Sequence, residues 1–365
     1  MINLHFFPSR RIATYTVKLF VTRSLAVLFA LVLVLMTLDL LGESGKILAV
    51  PGNGEAELWK YVSLRIPLLV SRFLPFAVLL GTLIAFTGLN QHSEVVAMKA
   101  AGISAHQMLA PLILASLVIA GGLFVFNERV VVNANRQVTV WGDNDYRPVP
   151  PSTGALSRVW ILDGNNLVEA DRVGGHGANF HAVGVTIYER QNGVLQRVVC
   201  AARAVPIDGA WKLTDVRVYD SSMNVVRRLP ETTALQGVEP EQLTLAKVDP
   251  DQLDFWTLKE RIGQLERAGR PTAEASAGLW HKVSGPLSTM LMPLLAATAA
   301  FGLARSGQVL LRATIGMALG FAYFVADNFS LAMGNVGAYP PIMAAWAPFV
   351  LFLLIGETVL IRSEE

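Results

Sequence analysis

The chain has 365 residues, 53% hydrophobic and 16% charged, with a formal net charge of +2 and a mean hydropathy of +0.45. This composition lies outside the usual soluble range and argues against an ordinary soluble enzyme. The near-neutral balance, with no basic block interleaved with aromatics, gives no reason to expect a nucleic-acid partner. The single cysteine, Cys200, excludes an internal disulfide and a Cys-rich metal site.

Six long apolar segments predict an α-helical membrane protein, split three and three around a polar stretch. They run from Phe20 to Leu41, Leu64 to Leu89, Met108 to Phe126, Trp280 to Ala304, Val309 to Met333 and Ile342 to Ile361. Each is long enough to cross a hydrocarbon core of about 30 Å, which needs roughly 20 helical residues. The first exceeds the apolar run of a secretory signal and has no small-residue cleavage site after it, so a retained helix is expected. Arg10, Arg11, Lys18 and Arg23 flank its start and place the N-terminus in the cytoplasm. Six crossings return the C-terminus to that side, in agreement with Lys99, Arg305, Arg312 and Arg362 at the corresponding loops and end. The central polar domain then faces away from the cytoplasm, into the periplasm of a bacterium.

Charges within or beside the first two spans are costly in lipid and are candidate functional groups for that reason. Asp39 lies near the end of the first span; Arg65 and Arg72, seven residues apart, share about one face of the second. An arginine cluster suits lipid phosphates, because guanidinium pairs bidentately with phosphate oxygens. Snorkelling of Arg65 to the interface, with a structural Arg72–Asp39 pair, is the alternative. Pro67 and Pro75 predict local distortion of the second helix.

The loop between the second and third spans, residues 90–107, predicts a short helix lying across the cytoplasmic mouth. Ser93 stands at its N-cap, Glu94 in its first turn, Lys99 near its end and Gly102 as its stop, with Val95, Met98 and Ala101 on or near one face. Such a helix has the shape of a coupling element docked on a separate motor subunit, or of a short helix resting on lipid.

The polar stretch reads as all-β. Runs rich in β-branched and aromatic residues, at 158–162, 166–171, 184–189, 195–200, 211–216 and 224–228, alternate with turn signals such as Asp163-Gly164-Asn165 and Asp208-Gly209. A sandwich, jelly roll or open barrel is expected, either as a closed cap or with an edge open to strand addition by a partner. Helical spacing of Leu253, Trp256, Leu258, Ile262 and Leu265 then predicts a connecting helix. In the fifth span Asp327 stands beside Asn328, placed either to pair across the bundle or to meet a substrate headgroup. The Tyr339-Pro340-Pro341 turn predicts a sharp entry to the sixth.

No GxxxxGK[ST] phosphate loop, HExxH zinc pair or GxSxG nucleophile elbow occurs, so neither catalytic residues, nor a metal, nor a cofactor is expected. Any ATPase driving this chain must be another protein. A non-transporting membrane scaffold whose β domain recruits envelope partners is the rival reading.

With these residues in view, the whole chain resembles the lipopolysaccharide export permeases of the LptF/LptG family, and lies nearer the LptG branch. The likeness rests on the three-plus-three layout, Asp39, the loop from Gln91 to Gly102 and Trp160-Ile161-Leu162-Asp163-Gly164-Asn165. It rests also on Val248-Asp249-Pro250-Asp251, Trp280, Lys282 and Pro286-Leu287, and Asp327 with the stretch from Gly334 to Pro341. It implies residues 1–132 as a transmembrane half, 133–250 as a periplasmic β-jellyroll-like domain, 251–272 as a connecting helix and 273–365 as the second transmembrane half. It also implies an inner-membrane ABC exporter of lipopolysaccharide made with a paralogous LptF-like permease and a cytoplasmic LptB-like ATPase dimer. An LptC-like membrane-anchored partner and an LptA-like bridge protein would join by β-strand addition. Glu94 would contact the ATPase, and the first and fifth spans would gate lipid entry. Where the family has basic residues around the outer end of the first span, this chain has Asp39 and Glu43. Headgroup contacts then fall to Lys46, Lys60, Arg65 or Arg72.

Overall fold

The computed structural model describes residues 8–148, 156–174, 180–191, 194–207, 209–220, 224–236, 238–239, 243, 248–267, 269–301 and 309–364. They divide into two compact units: residues 1–45, 54–135 and 250–365 in one, and 46–53 and 136–249 in the other.

The first unit is helical. Its long helices are α1 (Arg10–Leu48), α2 (Glu55–Gln91) and α4 (Ala105–Phe126), the last continued by a π-helical turn (Asn127–Val131) and α5 (Val132–Asp143), whose end belongs to the second unit. The short α3 (Glu94–Ala100) joins α2 to α4. After a 3-10 turn (Pro250–Gln252) come α6 (Phe255–Arg267), α7 (Ala273–Phe301), α8 (Val309–Asn335) and α9 (Pro341–Glu364). The prolines Pro67 and Pro75 lie inside α2 without ending it, and Pro341 occupies the first position of α9, where its missing N–H costs nothing.

Five of the described helical stretches are long and apolar enough to cross a membrane: Arg10–Leu48, Glu55–Gln91, Ala105–Asp143, Thr314–Asn335 and Pro341–Arg362. The fourth expected segment, Trp280 to Ala304, falls on α7, which is not among them. Its end, residues 302–304, lies outside the described residues, and the helix carries His281, Lys282, Ser284, Ser288 and Thr289. The packing explains this polarity, because α7 is the interior helix of the bundle: every residue from Leu291 to Thr298 is buried. A helix surrounded by other helices packs through small and hydroxylated residues and has no need of a lipid-soluble surface.

The bundle core gathers Val78, Leu79, Leu83 and Phe86 of α2 with Met108, Leu109 and Leu112 of α4. Leu291, Leu294 and Leu295 of α7, Tyr323 of α8, and Phe349 and Phe352 of α9 complete it. By contrast α1 leaves Leu25, Phe29, Leu33, Val34, Leu38 and Leu41 exposed. It meets α2 closely at Gly81, where an added Cβ would stand 2.5 Å from the Ser24 Cα. Only glycine allows that approach.

The second unit holds the inserted all-β domain. Strands β1 (Leu156–Asp163), β2 (Asn166–Gly174), β3 (His181–Gln191), β4 (Val194–Ile207), β5 (Ala210–Asp220) and β6 (Val225–Ala234) form one antiparallel sheet in the order β1-β2-β3-β4-β5-β6. The described strands thus pair in chain order, an inserted antiparallel all-β domain as the sequence leads one to expect; pairing chain neighbours closes the shortest loops. Opposed pairs Val159↔Ala170, Ile161↔Val168, Ala170↔Val185, Ile187↔Val199 and Ala204↔Leu213 put one apolar set on one face. Trp211 anchors that core, fully buried, its indole Nε1 donating to the Val238 carbonyl at 2.7 Å.

Candidate functional site

The loop predicted to couple to a motor is built on α3. Its stop is a Schellman motif: the Gly102 amide donates to the Lys99 carbonyl at 2.9 Å and the Ile103 amide to the Met98 carbonyl at 3.0 Å, with Gly102 at φ +81°. Its start differs from the expectation. Ser93 occupies the N-cap position at φ 58°, in the left-handed region, and its hydroxyl makes no capping bond. The two-residue hinge out of α2 forces that geometry, and a left-handed backbone aims the side chain away from the first-turn amides.

The faces of α3 also differ from the expected set. Val95 is buried and Met98 packs against the bundle core, while Ala101 is exposed. The surface left open consists of Val96, Ala97, Lys99 and Ala100. At the edge of that surface Glu94 accepts a hydrogen bond from the Tyr15 hydroxyl of α1 at 3.2 Å.

A second cluster ties α1 to α2. Arg65 binds Asp39 in a fork, Nε to Oδ2 and Nη2 to Oδ1, both at 2.9 Å, and the Tyr61 hydroxyl donates to Oδ2 at 2.7 Å. The side chains of Arg65 and Asp39 remain 34% and 21% exposed. The pair expected between Arg72 and Asp39 is therefore made by Arg65 instead. Two turns further along α2, Arg72 is exposed and has no ion-pair partner among the described residues. Lys46 and Lys60 are exposed, and Lys46 belongs to the other unit.

The third cluster surrounds α7. Asp327 of α8 pairs with His281 Nε2 at 3.0 Å, so its partner is a residue the sequence reading did not single out. Next to it Lys282 reaches Glu128 at 3.4 Å, with the two side chains only 12% and 14% exposed. Glu128 sits in the π-helical turn and also accepts the Phe255 amide, at the start of α6. The neighbouring Asn127 accepts from the Ser71 hydroxyl of α2 at 2.6 Å. A π turn widens the helix by one residue and often marks a functional position; here it turns Glu128 toward two other elements. Asp254 caps α6 through the Thr257 amide at 3.0 Å. Burial pushes the Asp254 carboxyl up, but bonds from the Thr257 hydroxyl and nearby amides outweigh it and hold the group below its usual value.

Among the described residues no three His, Cys, Asp or Glu side chains converge as a metal site would require. The clusters supply fixed charge, helix-to-helix ties and a small exposed helix.

Comparison with known proteins agrees across nearly the whole length. The model of the family described as lipopolysaccharide export system permease LptF/LptG matches residues 14–362. The chain is 29% identical over 318 residues to the lipopolysaccharide export system permease protein LptG of Escherichia coli (strain K12), covering 83% of this chain and 85% of that protein. It is 24% identical over 325 residues to the protein of the same name from Haemophilus influenzae, covering 86% and 89%.

Proposed function

Because the chain belongs to the LptF/LptG family of lipopolysaccharide export permeases, we propose that it is the permease subunit of an ABC-type exporter that extracts lipopolysaccharide from the inner membrane and passes it to a periplasmic bridge. The observation that carries this is the family match from residue 14 to residue 362, which takes in both compact units. It is a multi-pass inner-membrane protein. The proposed topology has six crossings, both termini cytoplasmic and the β domain periplasmic. The proposed division is a first membrane half (1–132), a β domain (133–250), a connecting helix (251–272) and a second membrane half (273–365).

ATP hydrolysis resides in a separate cytoplasmic ATPase dimer, and a paralogous LptF-like permease completes the membrane cavity. Motor closure pushes α3, narrows the cavity and weakens its hold on the lipid; this requires motor or substrate to bind two cavity states with different affinities. The open surface of Val96, Ala97, Lys99 and Ala100, bordered by Glu94, supports α3 as the docking element. Val95 and Met98 seat the helix on the bundle. The exposed Arg72 and Lys60 are proposed headgroup contacts, with Lys46 of the other unit a separate candidate, and Asp39, Arg65 and Asp327 hold the gate helices. Strand addition by an LptC-like or LptA-like partner is assigned to the β1 edge. On the opposite edge β6 carries Pro230 and the adjacent Arg227 and Arg228, which disfavour further pairing.

The test is affinity purification of the tagged protein in mild detergent, with mass spectrometry of proteins and lipids. Recovery of a paralogous permease, a soluble ATPase and lipopolysaccharide supports the exporter. Recovery of the chain alone, under conditions that keep other membrane complexes intact, favours the scaffold. Glu94→Arg separates the two further: an exporter loses transport with the protein still inserted, whereas a scaffold is indifferent.

A further inference from the structure

The connecting helix α6 has one face committed to protein. Leu258, Ile262 and Leu265 are buried, and α6 packs chiefly against α7. On the opposite face stands Trp256, 73% exposed, with the Lys259 Nζ 6.0 Å from its ring centroid. Exposure of so much indole to water is costly; the Phe255 ring meets it edge-on, centroids 5.3 Å apart, and leaves most of it open.

The depth of that indole follows from what pins its neighbour. The ring of Phe255 meets that of Phe124 edge-on, centroids 6.4 Å apart, and the Phe255 amide is held by Glu128. Asn135 also donates to the Asp251 carbonyl at 3.2 Å. Phe124 lies within the apolar run of α4 that ends at Phe126, and the first exposed charge after it is Arg129. At 1.5 Å per helical residue, Phe124 and Arg129 are separated by about 7–8 Å along the axis. The headgroup layer of one leaflet is about 5–8 Å thick. The start of α6 is therefore fastened to the place where the apolar surface of the span gives way to charge.

We propose that α6 is a membrane-interface anchor, with Trp256 inserted at headgroup level and Lys259 beside it at the level of the lipid phosphates. Tryptophan prefers this layer, where its ring is shielded and its N–H stays wet. The lysine stem covers the ring while the ammonium remains among phosphates. The occupant of this face is the headgroup layer of the surrounding bilayer, continuous with the lipid-facing side of α4. The anchor fixes the depth of the connecting helix, and with it the level of Glu128 and Lys282. It rests on membrane insertion, not on the nature of the cargo.

The experiment uses the purified full chain in nanodiscs made with phosphatidylcholine brominated either next to the headgroup or near the end of the acyl chain, with aqueous iodide as a third quencher. Trp256 is one of seven tryptophans, so its signal is the difference in emission between the native chain and Trp256→Phe. The variant retains a ring at an exposed site and is expected to fold. That difference emission should be quenched by the shallow bromines at least about twofold more than by the deep ones, as expected for an interfacial indole. Quenching by iodide with no response to brominated lipid would put Trp256 in water and overturn the proposal. Protection from all three quenchers would mean that protein covers the ring, and would overturn it equally.

Discussion

The fork between Asp39 and Arg65 decides whether Arg65 is committed to holding α1 or is available to a ligand, and a double-mutant cycle measures this. Asp39→Asn, Arg65→Gln and the combined variant alter charge at nearly constant shape. Three hydrogen bonds meet at the Asp39 carboxylate, two from Arg65 and one from Tyr61. Interhelical hydrogen bonds in membrane proteins average about 0.6 kcal/mol, with an upper range of about 1.7 kcal/mol. The two bonds of the fork then predict a coupling of about 1–2 kcal/mol; the partial exposure of both side chains keeps it below the value for a fully buried pair. Asp39→Asn alone weakens all three bonds and should cost more than Tyr61→Phe. The assay is unfolding in mixed micelles with increasing dodecyl sulfate, followed by helix content. Strictly additive single variants would refute the structural role and return Arg65 to the pool of headgroup ligands.

Three further outcomes are expected. Gly81→Ala places a methyl against the Ser24 backbone and should destabilise the bundle by about 1–3 kcal/mol; Ser24→Gly should not rescue it, because the Ser24 Cα and N remain in the way, and the same micelle titration checks both. Glu128→Gln leaves the nearly buried Lys282 without its carboxylate partner, at a cost of about 3–5 kcal/mol, and adding Lys282→Met should recover much of that loss in a thermal stability measurement. The lowered carboxyl of Asp254 contributes stability that is complete above its unfolded pKa and is lost as pH falls through the lower folded one. Asp254→Ala should thus cost about 1 kcal/mol at neutral pH, typical of a lost helix cap, and the difference from the native chain should shrink on acidification in a pH series of melting curves.

Local pattern carried the sequence reading furthest where local forces decide the structure. All six strands lie where β-branched runs alternate with turn residues, and Gly102 ends α3 because a left-handed stop needs glycine. The departures arise where distant elements meet. Seven-residue spacing correctly put Arg65 and Arg72 on one face, yet which of them reaches Asp39 depends on how α1 and α2 align along their lengths, which neither helix encodes alone. The same holds for α3: its apolar residues were legible, but whether Val95 and Met98 face a partner or their own bundle depends on the tilt set by the Ser93 hinge. Glu128 was missed altogether, because it follows the apolar run of α4 like an ordinary flanking charge. The signal was in α7, where Lys282 interrupts a largely apolar helix and requires an acid at the same depth.

The sequential order of the sheet has a consequence for how the protein is made. Among the described residues each strand after the first pairs with the one synthesised just before it, so none of these pairings waits for residues more than a hairpin away. Hairpins close in about 1–10 μs, whereas a ribosome adds about 5–20 residues per second. Each strand can therefore be zipped to its predecessor as soon as both have emerged, and the sheet from Leu156 to Ala234 can be complete while the last helices are still being made. Biogenesis of the inserted domain and assembly of the helical bundle become separate events, and a half-made sheet waits for its next strand only at the edge made last.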